Sequence, residues 1–114
     1  MRDLTKTFKA LSDRNRIRIL KMLEIKPLCV CEITEVLQLA TSTVSKHLSI
    51  LRDVDFIIDE KDGKWVNYRL NEKVTKEYVN RLLPLVRTWV SSEVVIKEDQ
   101  QKVQTVDRNK ICNI

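Results

Sequence analysis

The sequence predicts a mainly α-helical fold that carries one small β-hairpin. Apolar residues recur at three- and four-residue steps over most of the chain, which is the helical period. One Asp-Gly pair, at positions 62–63, separates two short stretches of strand type and uses the only glycine. The chain has 114 residues, of which 43% are hydrophobic and 32% charged. This balance is typical of one folded domain.

Two amphipathic helices are predicted at the amino terminus. Apolar residues at helical steps predict a first helix over the first dozen residues, ending near Ser12. A second helix follows, with Ser12 or Asp13 as its cap, and Pro27 closes it. The apolar faces of the two helices comprise Leu4, Phe8, Leu11, Ile17, Leu20 and Leu23.

A third and a fourth helix, joined by a tight turn, are predicted next. Val30, Ile33 and Leu37 mark a helix of about two turns. The residues "QLAT" then connect it to a fourth helix, for which Thr41 or Ser42 is the expected cap.

The fourth helix divides its side chains between an apolar and a polar face. Serine and threonine form helices less well than glutamate or lysine, so a merely solvated face would not favour them. Small hydroxyl side chains let another molecule approach closely. The apolar stripe comprises Val44, Leu48 and Leu51, and the polar face comprises Ser42, Ser45, Lys46 and Ser49.

A hairpin and a last helix complete the predicted domain. The residues "FIIDE" and "WVNYRL" predict two strands around the turn "KDGK", with Lys61 and Lys64 at its tip. Alternation directs Val66, Tyr68 and Leu70 inward, and Trp65, Asn67 and Arg69 outward. Helical spacing returns from about Asn71, with a kink or break expected at Pro84. The wide apolar face of this helix predicts pairing with a second copy of the chain.

We expect one DNA-binding and dimerisation domain over residues 1–95, and a polar, loosely ordered carboxy-terminal tail over residues 96–114.

No apolar run is long enough to cross a bilayer, and the charged amino terminus does not resemble a secretory signal. The expected location is therefore the cytoplasm, with no membrane partner. Three cysteines, an odd number, fit a reducing compartment.

Two short helices joined by a tight turn and followed by a basic hairpin predict a winged helix-turn-helix, whose second helix enters the major groove of duplex DNA. Lys plus Arg outnumber Asp plus Glu by 21 to 16, which favours a polyanionic partner. Each feature alone also fits an ordinary solvated surface, but their order favours DNA binding. The candidate DNA-binding residues are Ser42, Thr43, Ser45, Lys46, His47, Ser49, Lys61, Lys64 and Arg69.

The segments "FKALSDRNRIRILKML", "LCVCEI", "STVSKHLSILRD" and "GKWVNYRL", in this order within about residues 5 to 90, resemble the arsenic-responsive repressor (ArsR/SmtB) family of bacterial winged-helix regulators. The resemblance implies a homodimer built on the first and last helices, operator binding without a cofactor, and release by an inducer. The zinc-type site of this family needs paired carboxylates and histidines on the last helix. His47 is the only histidine and lies in the recognition helix, so that site is not expected.

The arsenic-type site of the family uses cysteines at the start of the helix before the recognition helix, where this chain has Cys29 and Cys31. The third family position holds Thr34 instead. As(III) and Sb(III) favour three thiolates, so Cys112, from either protomer, is the candidate third ligand; a small thiol or solvent is the alternative. Residues i and i+2 of a helix point about 200° apart, so the pair is predicted to straddle the helix start.

The predicted function is a repressor released by As(III), Sb(III) or another thiophilic metal ion. Three alternatives stay open. The cysteines could fill the core, or Cys29 or Cys31 could oxidise, pairing with Cys112, in a redox sensor. The fold could also serve as a protein-interaction module. An enzyme is not expected, because His47 has no evident catalytic partner in the sequence.

Overall fold

The computed structural model describes residues 1–73 and 76–112. Helices dominate, and a small antiparallel sheet joins them, so the predicted fold class is confirmed. In chain order the elements are α1 (Arg2–Leu11), α2 (Arg14–Leu23), β1 (Leu28–Cys29), α3 (Val30–Leu37), α4 (Thr41–Asp53), β2 (Ile57–Asp62), β3 (Trp65–Leu70), α5 (Glu77–Thr88), α6 (Val94–Thr105) and α7 (Arg108–Ile111). Within the described ranges, no helix combines the length and apolar character needed to cross a membrane.

Asp13 caps α2, as the sequence predicts. Its carboxylate accepts hydrogen bonds from the backbone N–H groups of Asn15 at 2.8 Å and Arg16 at 3.1 Å. Burial would raise the pKa of Asp13, but these two donors and the positive charge nearby together outweigh it and hold the pKa below its ordinary value. Ser12 serves α1 instead, by donating its hydroxyl to the carbonyl of Phe8.

The helix-turn-helix consists of α3 and α4. Gln38 ends α3 in the left-handed conformation, with φ of 56°. The predicted cap of α4 is wrong, because Ala40, with extended backbone, precedes the helix and both Thr41 and Ser42 lie inside its first turn. The carbonyl of Ala40 accepts the first helical bond from the N–H of Val44, so the helix begins without a side-chain cap there. The apolar stripe of Val44, Leu48 and Leu51 is buried, as predicted.

The hairpin has a two-residue turn at Gly63 and Lys64, since Asp62 pairs with Trp65. Gly63 has φ of 61°, a conformation that glycine adopts without strain. A third strand, β1, was not predicted. It pairs antiparallel with β3, so the sheet order is β1-β3-β2 and Cys29 lies opposite Asn67.

The inward orientation predicted for alternate residues of β3 is confirmed only near the end of the strand. Leu70 is buried and Tyr68 packs against the core. Val66 is 41% exposed, so its predicted burial is wrong. It lies two residues after the turn, at the end of β3 away from Leu70. Pro84 does not break the last predicted helix, since α5 continues through it from Glu77 to Thr88.

The prediction of a loosely ordered tail is wrong for α6 and α7. Ile96 and Val103 of α6 are buried, and Asp99 accepts two hydrogen bonds from the guanidinium of Arg18, at 2.8 and 2.9 Å. Its composition is mostly polar, yet two buried apolar side chains and one paired carboxylate help to hold α6 in place. The last residues of the predicted tail, 113–114, lie outside the described residues.

Lys21 ties α2 to the end of α5. Its ammonium group, fully buried, donates to the carbonyls of Val86 at 2.9 Å and Arg87 at 3.1 Å, and forms an ion pair with Glu24. A cation at a helix carboxy terminus complements the helix dipole, which explains how this charge is accommodated in the interior.

Candidate functional site

The recognition face is the exposed side of α4. We use this name for six outward-facing polar residues of α4, those that the sequence predicts to contact DNA. Five are exposed and His47 is half-buried, so the helix presents short donors and acceptors above a packed base. This arrangement suits entry into a groove, because the side chains that would hold a duplex away are absent from it. The six residues are Ser42, Thr43, Ser45, Lys46, His47 and Ser49.

Arg16 supports the recognition face from α2, an interaction that sequence reasoning missed. Its Nη1 lies 3.1 Å from Nδ1 of His47, and its Nε donates to the carbonyl of Ala10 at 2.8 Å. A guanidinium group only donates, so Nδ1 of His47 is the acceptor in this contact. A cleft of about 480 Å³ opens between Arg16 and the start of α4. Basic and hydroxyl side chains line it, as a phosphate would require.

The wing is the β2–β3 hairpin. Lys64 lies in its turn, and Lys61 lies one residue before the end of β2; both are exposed. Nζ of Lys64 is 5.1 Å from the centroid of the Trp65 ring. Arg69, also predicted to reach DNA, forms an ion pair with Glu60 across the strands. Its charge is therefore already matched within the hairpin.

Cys29 and Cys31 straddle the start of α3, as predicted. Cys29 ends β1 and is the N-cap of α3, with extended backbone, while Cys31 lies in the first helical turn. This break in the helical path brings their Sγ atoms to 3.6 Å. Residues i and i+2 inside one regular helix could not approach in this way.

The structure brings Cys112 of the same chain to this pair. It follows α7, is joined to Cys31 as a disulfide with Cα atoms 6.0 Å apart, and completes a group of three Sγ atoms that all lie within 4.8 Å of one another. We call these three residues the cysteine cluster. Once the disulfide is reduced, the cluster offers three thiol ligands of the kind that soft metal and metalloid centres prefer.

Glu32 and burial set the electrostatics of the cluster. The buried Glu32 carboxylate accepts a hydrogen bond from the backbone N–H of Cys29 at 2.9 Å, and forms a capping box. Burial raises the pKa of the Cys29 thiol and the carboxylate of Glu32 adds to this, whereas the backbone N–H of Glu32 and the charge of Arg108 oppose it. Thr34 has a buried hydroxyl oxygen with no hydrogen-bond partner among the described residues.

Residues 13–59 match the family described as "Bacterial regulatory protein, arsR family". The arsenical resistance operon repressor of Escherichia coli (strain K12) is 35% identical over 107 residues, which cover 90% of this chain and 80% of that repressor. The chain belongs to the ArsR family. ArsR-family proteins are regulators that bind DNA, so this protein is a DNA-binding transcriptional regulator and not an enzyme.

One further relative supports membership of the ArsR family, and one solved structure supports the fold. The arsenic resistance transcriptional regulator ArsR2 of Pseudomonas putida (strain KT2440) is 40% identical over 110 residues, covering 92% of this chain and 93% of that protein. A winged helix-turn-helix DNA-binding domain from Mycobacterium bovis superimposes with a TM-score of 0.64, at 24% identity, covering 81% of this chain and 82% of that domain. This last likeness shows the fold alone, a winged helix-turn-helix.

Proposed function

We propose that this ArsR-family protein represses transcription as a homodimer on operator DNA and is released when As(III), Sb(III) or another soft metal ion binds its cysteine thiolates. The observation that carries the proposal is the cysteine cluster, whose three Sγ atoms lie within 4.8 Å of one another. The names of the relatives support it, since two of them are an arsenical resistance operon repressor and an arsenic resistance regulator.

The recognition face and the wing are the proposed DNA-binding surfaces. The first turns of α4 enter the major groove, because Asp53 ends the helix and Asp55 follows it, and both carboxylates would repel phosphate. Lys61 and Lys64 of the wing bind the neighbouring backbone and add the salt-dependent part of the affinity. Arg69 contributes less than either lysine because it is paired with Glu60.

The proposed dimer interface is the apolar surface shared by α1 and α5. Phe8 is 51% exposed and Trp89 is 47% exposed, and a groove of about 310 Å³ with a mostly apolar lining runs beside them. Burying an exposed apolar surface of this kind against another protein is favourable. A second copy of the chain, related by a two-fold axis, would bury this surface on both protomers at once. It would also place two recognition helices on successive turns of the duplex.

Inducer binding requires the reduced cluster. Cys31 and Cys112 form a disulfide in the structure, so reduction must free both sulfurs before a metalloid can take three thiolates. The bound centre would then fix α7 to the first turn of α3. Because α3 packs directly on α4, a change there reaches the recognition helix. A coupling free energy of about 1 to 3 kcal/mol corresponds to a roughly 5- to 150-fold loss of operator affinity.

An operator-release assay tests this function. The reduced protein is bound to a fluorescent duplex selected from a random library, under anaerobic conditions, and anisotropy is followed as arsenite, antimonite, cadmium or zinc is added. We expect selective, salt-sensitive binding to a palindrome and release by one or more of the thiophilic ions. Equal, weak binding to every duplex, or retention of the duplex with all four, would contradict the proposal.

The Cys31–Cys112 disulfide favours a second candidate function, a thiol redox sensor. In this case both sulfurs give up their protons and two electrons to an oxidant such as oxidised glutathione, which becomes two thiols. The same assay separates the two functions. Release by arsenite under reducing conditions supports metalloid sensing, whereas release by oxidised glutathione alone supports redox sensing.

A further inference from the structure

Arg108 joins three parts of the molecule that are distant in sequence. It begins α7, its Nη2 lies 3.6 Å from Oε1 of Glu32, and its guanidinium carbon lies 5.3 Å from the centroid of the Trp65 ring. A guanidinium group can satisfy both neighbours, because its edge pairs with a carboxylate while its face stacks on an aromatic ring. One side chain thus links α7 to the start of α3 and to the wing.

The ion pair between Arg108 and Glu32 lies beside the segment that contains Cys29 and Cys31. Glu32 is 3% exposed, and the same oxygen that faces Arg108 accepts the backbone N–H of Cys29. A buried carboxylate is destabilising unless a cation or donors satisfy it. Arg108 therefore connects α7 to the carboxylate that caps the start of α3, while the backbone N–H of Cys29 remains a second partner of that carboxylate.

The stacking of Arg108 on Trp65 connects α7 to the wing. Trp65 is the first residue of β3 and directly follows Lys64, the turn lysine whose ammonium group lies 5.1 Å from the same ring. A displacement of the indole would redirect the turn and the lysine that it carries. The opposite side of β3 pairs with β1, so this hairpin is also in backbone contact with Cys29.

Arg108 and Cys112 are one helical turn apart. The carbonyl of Arg108 accepts the N–H of Cys112 at 2.9 Å, which closes one turn of backbone between the two residues. A displacement of Cys112 would therefore reach Arg108 through this single turn.

We propose that Arg108 is a positioning residue that transmits inducer binding from the cysteine cluster to the wing. This inference rests on the proposed function. When Cys112 joins Cys29 and Cys31 around the inducer, α7 shifts as a unit, and Arg108 displaces Trp65 and the wing turn from their place on the duplex. The two states of this proposal are α7 with its sulfur free and α7 with its sulfur bound, as it is to Cys31 in the structure.

The test compares Arg108→Gln with Lys110→Gln, which removes the same charge from an exposed position of the same helix. For each variant, calorimetry gives the arsenite affinity of the free protein, and anisotropy gives the operator affinity with and without arsenite. We expect Arg108→Gln to bind arsenite as the unaltered protein does, while the arsenite-induced loss of operator affinity shrinks by about fivefold or more. Lys110→Gln is expected to behave as the unaltered protein.

Two results would overturn the inference. In one, Arg108→Gln releases DNA as fully as the unaltered protein does. In the other, its weaker release is matched by an equal loss of arsenite affinity, in which case Arg108 merely builds the cluster.

A second measurement is independent of any inducer. The chain has two tryptophans, so the indole N–H signal of Trp65 can be assigned in an NMR spectrum with a Trp65→Phe variant. We expect this signal to shift between the dithiothreitol-reduced protein and the protein oxidised by glutathione disulfide, and to shift far less in Arg108→Gln. If the Trp65 signal shifts but arsenite does not release the operator in the anisotropy assay, the proposed function is refuted and the link between the cluster and the wing stands. An unshifted signal would refute the link even where arsenite releases DNA.

Discussion

The recognition face lies on one continuous helix, whereas the cysteine cluster joins the start of α3 to the residue after α7. Five residues of the recognition face are exposed above a buried apolar stripe, and their arrangement follows from the helical period alone. The cluster depends on an approach between residues 81 positions apart in the sequence. The first surface therefore follows from the local pattern of α4, whereas the second depends on a contact between distant parts of the chain.

This difference implies that DNA binding and inducer binding can be altered separately. A change on the recognition face should weaken the operator complex and leave the cluster unaffected. A change in the cluster should do the reverse. Four variants test the separation, from the largest expected effect to the smallest.

Ser45→Glu should give the largest loss of operator affinity, about 100-fold, because it puts a carboxylate against phosphates and base edges. Anisotropy with the operator duplex measures this loss, and calorimetry should find the arsenite affinity unchanged. Gln101→Glu, which adds the same charge at an exposed position of α6, is the control. Normal operator binding by Ser45→Glu would mean that α4 does not face the duplex.

Cys112→Ser should weaken arsenite binding by about 10-fold or more, since the centre loses one of three thiolates. Operator affinity in the absence of arsenite should not change. Calorimetry and anisotropy on the reduced variant measure the two quantities. An arsenite affinity equal to that of the unaltered protein would show that a small thiol or solvent supplies the third ligand.

Lys61→Gln combined with Lys64→Gln should reduce the slope of log affinity against log salt by about two, or about one for each phosphate that is no longer neutralised. Specific and non-specific duplexes should weaken alike. Arg69→Gln serves as the comparison, and its effect on the slope should be smaller because Glu60 already neutralises that side chain. Equal slopes for all variants would exclude the wing from the complex.

Asp13→Ala should leave both sites intact and lower the free energy of unfolding by about 1 kcal/mol, the usual effect of losing a helix cap. Because the folded protein lowers the pKa of Asp13 below its ordinary 3.8, the cap contributes fully above that pH. Its contribution is lost as the pH falls through the lowered value. Urea unfolding at neutral pH and near pH 3 measures both differences, and an equal difference at both would contradict the assignment.

The same contrast explains what the sequence could and could not predict. The buried stripe and polar face of α4 followed from local spacing, as did the N-cap role of Asp13. The strand β1 was missed because two residues carry no detectable alternation. The packing of α6 was missed because its paired carboxylate, Asp99, meets Arg18 only after the chain has folded back.

The cysteine cluster could be predicted only in part from the sequence. The spacing of Cys29 and Cys31, with Pro27 just before them, predicted that the pair straddles the helix start. Cys112 could be named only as a candidate, since no local pattern fixes which distant thiol returns to a site. Arg108 and Trp65 carried no signal at all, because a cation beside an aromatic ring is a property of the folded chain.

The central claim is that one part of the protein reads DNA and another senses the inducer. The most direct measurement is operator anisotropy with the reduced double variant Cys29→Ser, Cys31→Ser, before and after saturating arsenite. We predict the affinity of the unaltered protein and no release. Release at the arsenite concentration that frees the unaltered protein, or loss of DNA binding in the folded variant, would contradict the account.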